Sequence, residues 1–155
     1  MHFPKIIISD ASCLVNLERI QAIPILEKVC GSVIITEEVA LEFGKPIPDW
    51  IDIHKASVYT TQELQEAGLD LGESSSISLA LELRDDCLLI LDDLAARVVA
   101  AQQNLKFTGL LGILLRAKER GIIKEIKLYV EQLKKAGFRL SDKVIQDVLR
   151  EAGEK

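Results

Sequence analysis

Five acids fall where the chain pattern turns from strand to helix: Asp10, Glu42, Glu73, Asp92 and Asp93. Asp10 closes the run KIIIS, and Asp92 and Asp93 follow the wholly apolar run CLLIL. Glu73 opens a helical pattern, and Glu42 lies on the helix after the second strand. Carboxylates brought within a few ångströms repel one another and take up protons unless cations hold them. Mg²⁺ or Mn²⁺ suits such a group, because hard cations take oxygen ligands, keep several waters and bridge to phosphates. One such ion can activate water, and a second can stabilise the leaving oxygen of a phosphodiester. That chemistry needs no nucleophilic Ser or Cys and no His, and the two histidines stand elsewhere: His2 in an N-terminal tail, His54 in an ambiguous strand.

Each acid also has a purely structural use. Asp10 can cap the helix that starts at Ser12, since Asp is a favoured N-cap. Glu42 shares its helix with Glu37 and Glu38 and can be one more solvated acid. Glu73 can simply favour the positive end of its helix, an effect of about 0.3–1 kcal/mol. The pair Asp92 and Asp93 is harder to account for this way, because adjacent acids cost repulsion and one cap explains only one of them. Arg97, four residues past Asp93, suits either an ion pair one helical turn along or a phosphate contact. Gly72, Gly109 and Gly112 suit loop ends or close packing, and no G-x-G-x-x-G or P-loop is present.

The elements that must position these acids follow from the hydrophobic periodicity. Residues 5–9 predict a strand, and Cys13, Leu14, Leu17 and Ile20 a helix after it. AIPILEKV predicts a short helix with Pro24 in its first turn, stopped by Gly31. SVIIT predicts a strand, and Thr36 caps a helix over EEVALEFG that Gly44 ends. KPIPDW is a loop, and IDIHKASV an exposed or edge strand. A helix begins near TTQELQEAG, and LDLGESSSISLALELRD restarts one after Gly72. CLLIL reads as a central strand, followed by a helix carrying Leu94, Ala95, Val98, Val99 and Ala101. LKFTG is a further strand, and LLGILLRAKERG a helix closed by Gly121. IKEIKLYVEQLKKAG and SDKVIQDVLREAG form two last helices, the second capped by Ser141. Strands alternating with helices imply βαβ units, a parallel sheet covered on both faces, and a functional crevice at the carboxyl ends of the strands.

The 155 residues suit one domain, 1–155, with 124–155 as a C-terminal helical extension. A net charge of −5 lacks the overall basic footprint of a protein that holds nucleic acid by charge alone, although an acidic site can bind phosphates through metal ions. Lys134, Lys135, Arg139 and Lys143 make the C-terminal hairpin the most basic stretch, a solvated face or an RNA contact. Cys13, Cys30 and Cys87 are widely spaced in apolar settings and read as reduced thiols. No apolar window approaches the roughly 18 residues of a membrane span, so a cytoplasmic protein without membrane attachment is expected.

The order and spacing of SDASCLVNLERI, VIITEEVALEFG, LDLGESSSISLALEL, LLILDDLAARVVA, TGLLGILLRAKERGII and LKKAGFRLSDKVIQDVLREAGE resemble the PIN-domain superfamily over almost the whole chain. In particular they resemble a prokaryotic PIN-like family of unknown function, grouped with toxin-type PIN proteins. Ser75, Ser76 and Leu110 depart from the commoner pattern of an acid or Ala and a Thr. The resemblance implies a three-layer α/β/α fold with a short parallel sheet and a C-terminal helical hairpin. It implies a metal-dependent ribonuclease, of the VapC-like toxin kind, in which Asp10, Glu42, Glu73 and Asp93 hold Mg²⁺ or Mn²⁺ and act on an RNA substrate. Asp92 would be a ligand or a supporting acceptor, and Ser12 would orient a ligand or water if it is not an N-cap. An antitoxin protein and a homodimer are the partners it suggests. The alternative is a catalytically weak PIN-like module that binds RNA or protein and keeps the acids as a structural metal site. A receiver-like phosphoacceptor domain ranks last, because its lysine should follow a late strand and Lys106 precedes LKFTG's core.

Overall fold

Five short β-rich runs form one parallel sheet. The computed structural model describes residues 3–84 and 86–155; His2, and Asp85 at the end of the LDLGESSSISLALELRD pattern, lie outside them. The strands are β1 (Ile6–Ser9), β2 (Val33–Thr36), β3 (Ile51–His54), β4 (Cys87–Ile90) and β5 (Lys106–Thr108), in the order β3-β2-β1-β4-β5. The run IDIHKASV is thus an edge strand, shortened to its first four residues. Between the strands run α1 (Ala11–Arg19), α2 (Ile23–Cys30), α3 (Glu37–Phe43), α4 (Val58–Glu66), α5 (Leu71–Leu83), α6 (Leu94–Gln102) and α7 (Leu110–Glu119). Helices α8 (Lys127–Lys135) and α9 (Asp142–Glu151) complete the chain.

Alternation along the strands separates two cores, because successive side chains point to opposite faces of a sheet. Ile7, Val33, Ile35, Leu88 and Ile90 face a large core with Leu14, Leu17, Leu26, Ile113 and Leu114. Ile8, Leu89 and Leu91 face a smaller one with Ile77, Ala80, Ala96 and Ala100. The result is a three-layer α/β/α arrangement. Helices α8 and α9 join the large core through Val130, Leu133, Val148 and Leu149. The Glu154 carboxylate, beyond α9, ties them down further by accepting from Ile126 N at 2.8 Å, Lys127 N at 3.0 Å and Lys118 Nζ at 2.7 Å.

Local signals set most helix ends. Thr36 caps α3 by accepting from Val39 N at 3.1 Å, and Gly44 ends that helix in the left-handed region. Ser141 caps α9. Two expected starts move. Asp70 is the N-cap of α5 and Glu73 closes the capping box, so the helix begins at Leu71 and Gly72 lies inside its first turn. Asp10, not Ser12, caps α1, so Ser12 sits within the first turn and has no cap role. Lys106 lies at the start of β5 and pairs with Asp86 at 3.9 Å, at the end of the sheet away from the strand carboxyl termini. That position removes the receiver-like arrangement. Among the described residues no helix is long and apolar enough to cross a membrane, and Cys13 and Cys30 are free thiols.

Candidate active site

The chain crosses the sheet between β1 and β4, which pair in parallel from Ile6↔Cys87 to Ser9↔Ile90. β2 and β3 lie on one side of that pair and β5 on the other, so the loops after β1 and β4 diverge and leave a crevice. Asp10 follows β1 and Asp92 follows β4. The two acids therefore stand on neighbouring strands, and Asp10 N donates to Ile90 O at 3.1 Å.

Asp10 is only 3% exposed. One of its carboxylate oxygens accepts from Cys13 N at 3.0 Å, so it caps α1 and faces the crevice at once. Burial pushes its carboxyl up to about 7; the Cys13 N–H opposes the rise, and the charges of Asp92 and Glu42 add to it. Asp92 is also raised by burial, partly offset by the Leu110 N–H and by Arg97. Its oxygens accept from Leu110 N, at the start of α7, at 3.2 and 3.4 Å.

Arg97 pairs with Asp92 at 3.8 Å rather than with Asp93. The reason is that Asp93 turns back onto its own helix: its carboxylate caps α6 by accepting from Ala96 N at 3.0 Å. Arg97 is further fixed by donating from Nε to Leu91 O at 2.7 Å and by lying 5.4 Å over the Phe107 ring. A side chain at Gly109 would run into both the Arg97 guanidinium and the Asp92 carboxylate, so this glycine is required by close approach.

Glu73 also lines the crevice. Burial pushes it up to about 7, with the charges of Asp70 and Asp93 adding to the shift. Glu42 is raised by burial and then by Asp70. A Cβ at Gly72 would stand 3.0 Å from Glu42 Oε1, so the bare backbone there lets Glu42 come in beside α5. Ser75, in the same first turns, shares a 2.7 Å hydrogen bond with Thr36 that ties α5 to the end of β2.

The cleft so formed holds about 520 Å³ and is lined by Asp10, Ser12, Asn16, Arg19, Glu73, Asp92, Asp93, Leu94 and the 137–139 turn. Four of the five expected acids line it. Glu42 does not, and reaches Asp10 only through its charge. Ser12 accepts from Asn16 Nδ2 at 3.2 Å at the cleft wall. Asn16, Arg19 and Asp70 are additions that sequence reading did not single out for the site, and Arg139, read there as part of the basic hairpin, is the member of that stretch that lines the cleft. Asp70 was legible as the first residue of a D-x-x-E capping box; Asn16 was legible only as a polar position on an apolar helix face.

Among the described residues, no three His, Cys, Asp or Glu side chains stand close enough to hold a metal ion by themselves. Asp93 and Glu73 are drawn to helix N-termini and Glu42 to the Asp70 side, so the acids ring the cleft rather than closing one coordination sphere. The donor chemistry nevertheless fits a hard cation. An ion of the Mg²⁺ type keeps several waters and needs only one or two carboxylates plus substrate phosphates. Asp10 and Asp92 supply such a pair, and repulsion within the cleft leaves it favourable to positive charge.

A three-layer α/β fold with acids after β1 and β4 defines the class as an α/β domain with an acidic cleft. The chain belongs to the PIN-domain superfamily: the PIN-domain family DUF3368 matches residues 6–154. PIN domains are typically nucleases and typically use divalent metals. No curated protein matches the chain significantly.

Proposed function

We propose that the protein is a Mg²⁺- or Mn²⁺-dependent endoribonuclease that hydrolyses RNA phosphodiester bonds in the β1–β4 cleft. The observation that carries this is Asp10: a buried carboxylate at the crossover, facing a second acid, Asp92, with only backbone donors as partners. Asp10 and Asp92 would hold the metal. Glu73 and Asp93, which also line the cleft, would complete its surroundings through water or directly, and Glu42 would add negative field. Bound there, the cation would supply charge stabilisation and an activated water. Arg97 and the Leu110 N–H keep the Asp92 carboxylate aimed into the cleft. Arg19 and Arg139 at its mouth bring positive charge toward the phosphates of an approaching strand.

The cap bonds of Asp10, Glu73 and Asp93 favour a second reading, a PIN-type module that binds RNA or protein without efficient cleavage. Labelled RNA incubated with purified protein and Mn²⁺, Mg²⁺ or EDTA separates the two. The ribonuclease reading expects cleavage that EDTA abolishes and that Asp10→Asn lowers more than about 100-fold, beyond the roughly 10- to 100-fold typical of residues that only support a ligand. RNA binding with no cleavage by the folded wild type would establish the second. The toxin role belongs to the same proposal: in the cytoplasm the protein would arrest growth until an antitoxin covers the cleft, and it would pair as a homodimer. Growth on induced expression of wild type against Asp10→Asn, and mass by light scattering, read these two out.

A further inference from the structure

Beside the acid cleft lies a second cavity of about 590 Å³, between the start of α7 and helix α9. Asp92, Phe138 and Arg139 line both, so the two adjoin. The walls of the second differ in character. Phe107 and Phe138 present aromatic rings, Arg97 presents a guanidinium already stacked on Phe107, and the exposed Val144 of α9 presents an apolar rim. Arg139, on the turn between α8 and α9, stands at the junction, and among the described residues it has no acid partner within ion-pair distance.

We propose that this cavity is a nucleobase subsite, which takes the base of a nucleotide adjacent to the phosphate held in the acid cleft. The proposal rests on the ribonuclease reading above. Three features argue for a base. The volume lies in the range of sites that enclose small organic ligands. Aromatic rings and an arginine plane are the surfaces on which unpaired bases stack, largely without regard to sequence. Where the two cavities adjoin, Arg139 shares the wall with Asp92 and Phe138 and offers a cation to a sugar–phosphate link between them. Stacking of this kind tolerates any base, so the subsite would add affinity and register more than sequence choice.

The test uses the full chain with Asp10→Asn to block cleavage, and short single-stranded RNA carrying one abasic site moved along it. Binding is read by fluorescence anisotropy, and cleavage of the same series by unsubstituted protein with Mn²⁺. Removal of the base at one position should weaken binding about five-fold or more. Val144→Trp, at an exposed position that lines this cavity and not the acid cleft, should fill the cavity and remove that position dependence while cleavage remains metal-dependent. Phe138→Leu should give the same loss, with folding checked by circular dichroism. Binding and cleavage with no dependence on abasic position, identical in wild type and Val144→Trp, would overturn the subsite alone and leave a protein segment as the better occupant. An absence of both binding and cleavage in the unsubstituted protein would overturn the ribonuclease reading and the subsite with it.

Discussion

Asp10 does two jobs that pull in opposite directions. As an N-cap it stabilises α1, and as a buried acid beside Asp92 it resists ionisation. Its folded value of about 7 lies above the unfolded value of about 3.9, so between those limits the folded state keeps a proton that the unfolded state has lost. Its contribution to stability is therefore present in full below about pH 4 and disappears as pH rises toward and through 7. Glu73, also raised to about 7, acts in the same direction. Asn can still accept from Cys13 N, so Asp10→Asn should abolish cleavage, flatten this slope, and stabilise the metal-free protein at pH 8 by at most about 4 kcal/mol. Urea unfolding at pH 5 and pH 8 in EDTA checks it; equal effects at both would contradict the buried-charge account. Gly109 is the matching steric case. Gly109→Ala should cost roughly 1–3 kcal/mol of stability by displacing Arg97 and Asp92, and should lower activity by more than the stability loss explains.

At the scale of elements, the caps decide which acids are free to act. Sequence reading placed Thr36, Gly44 and Ser141 correctly, because each capping residue directly adjoins its periodic run. It placed Asp10 at a strand end and left cap and metal ligand open; the fold shows the cap bond to Cys13 N and a carboxylate that lines the cleft. It linked Arg97 to Asp93 by helical spacing alone. That inference missed because Asp93 lies outside α6, where its carboxylate bends to the helix N-terminus and leaves Asp92 as the partner across the turn. The start of α5 was read two residues late, since Gly72 looks like a breaker until Asp70 and Glu73 are seen to close a box around it. Asp93→Asn keeps the cap acceptor and Asp93→Ala removes it. The Ala variant should lose about 1 kcal/mol in thermal or urea unfolding relative to Asn. If cleavage falls equally in both, Asp93 serves the metal as well as the helix. Thr36→Val should cost roughly 1–2 kcal/mol, because it deletes the α3 cap and the buried bond to Ser75 together.

For the molecule as a whole, the alternating strand–helix pattern was enough to predict a parallel sheet with both faces covered. The contribution of α8 and α9 was less legible. Their amphipathic faces are readable in the chain, but the turn at 137–140 reaches the cleft only because both helices dock on the large core. Glu154 secures that docking, and Glu154→Ala would leave the Ile126 and Lys127 N–H groups without their acceptor. A loss of about 1–3 kcal/mol is expected, measured by chemical unfolding. Divalent cation should act on the same scale. Protons and metal compete for the carboxylates, so excess Mn²⁺ should raise the melting temperature more at pH 8 than at pH 5. Asp10→Asn should remove most of that difference.

The pairing of β1 with β4 has a further consequence, for timing. Asp10 and Asp92 are about 80 residues apart in the chain, and they meet only when a ladder spanning that separation closes. Long-range closures of this kind come slowly and late compared with local helix formation. A partly folded chain would therefore carry most of its helices and no cleft. During refolding, the return of catalysis should track protection of the Ile8 and Leu89 amides, while the helical signal recovers earlier. Chemical competence in this protein would be a property of the closed sheet, gained in one step at the end of folding.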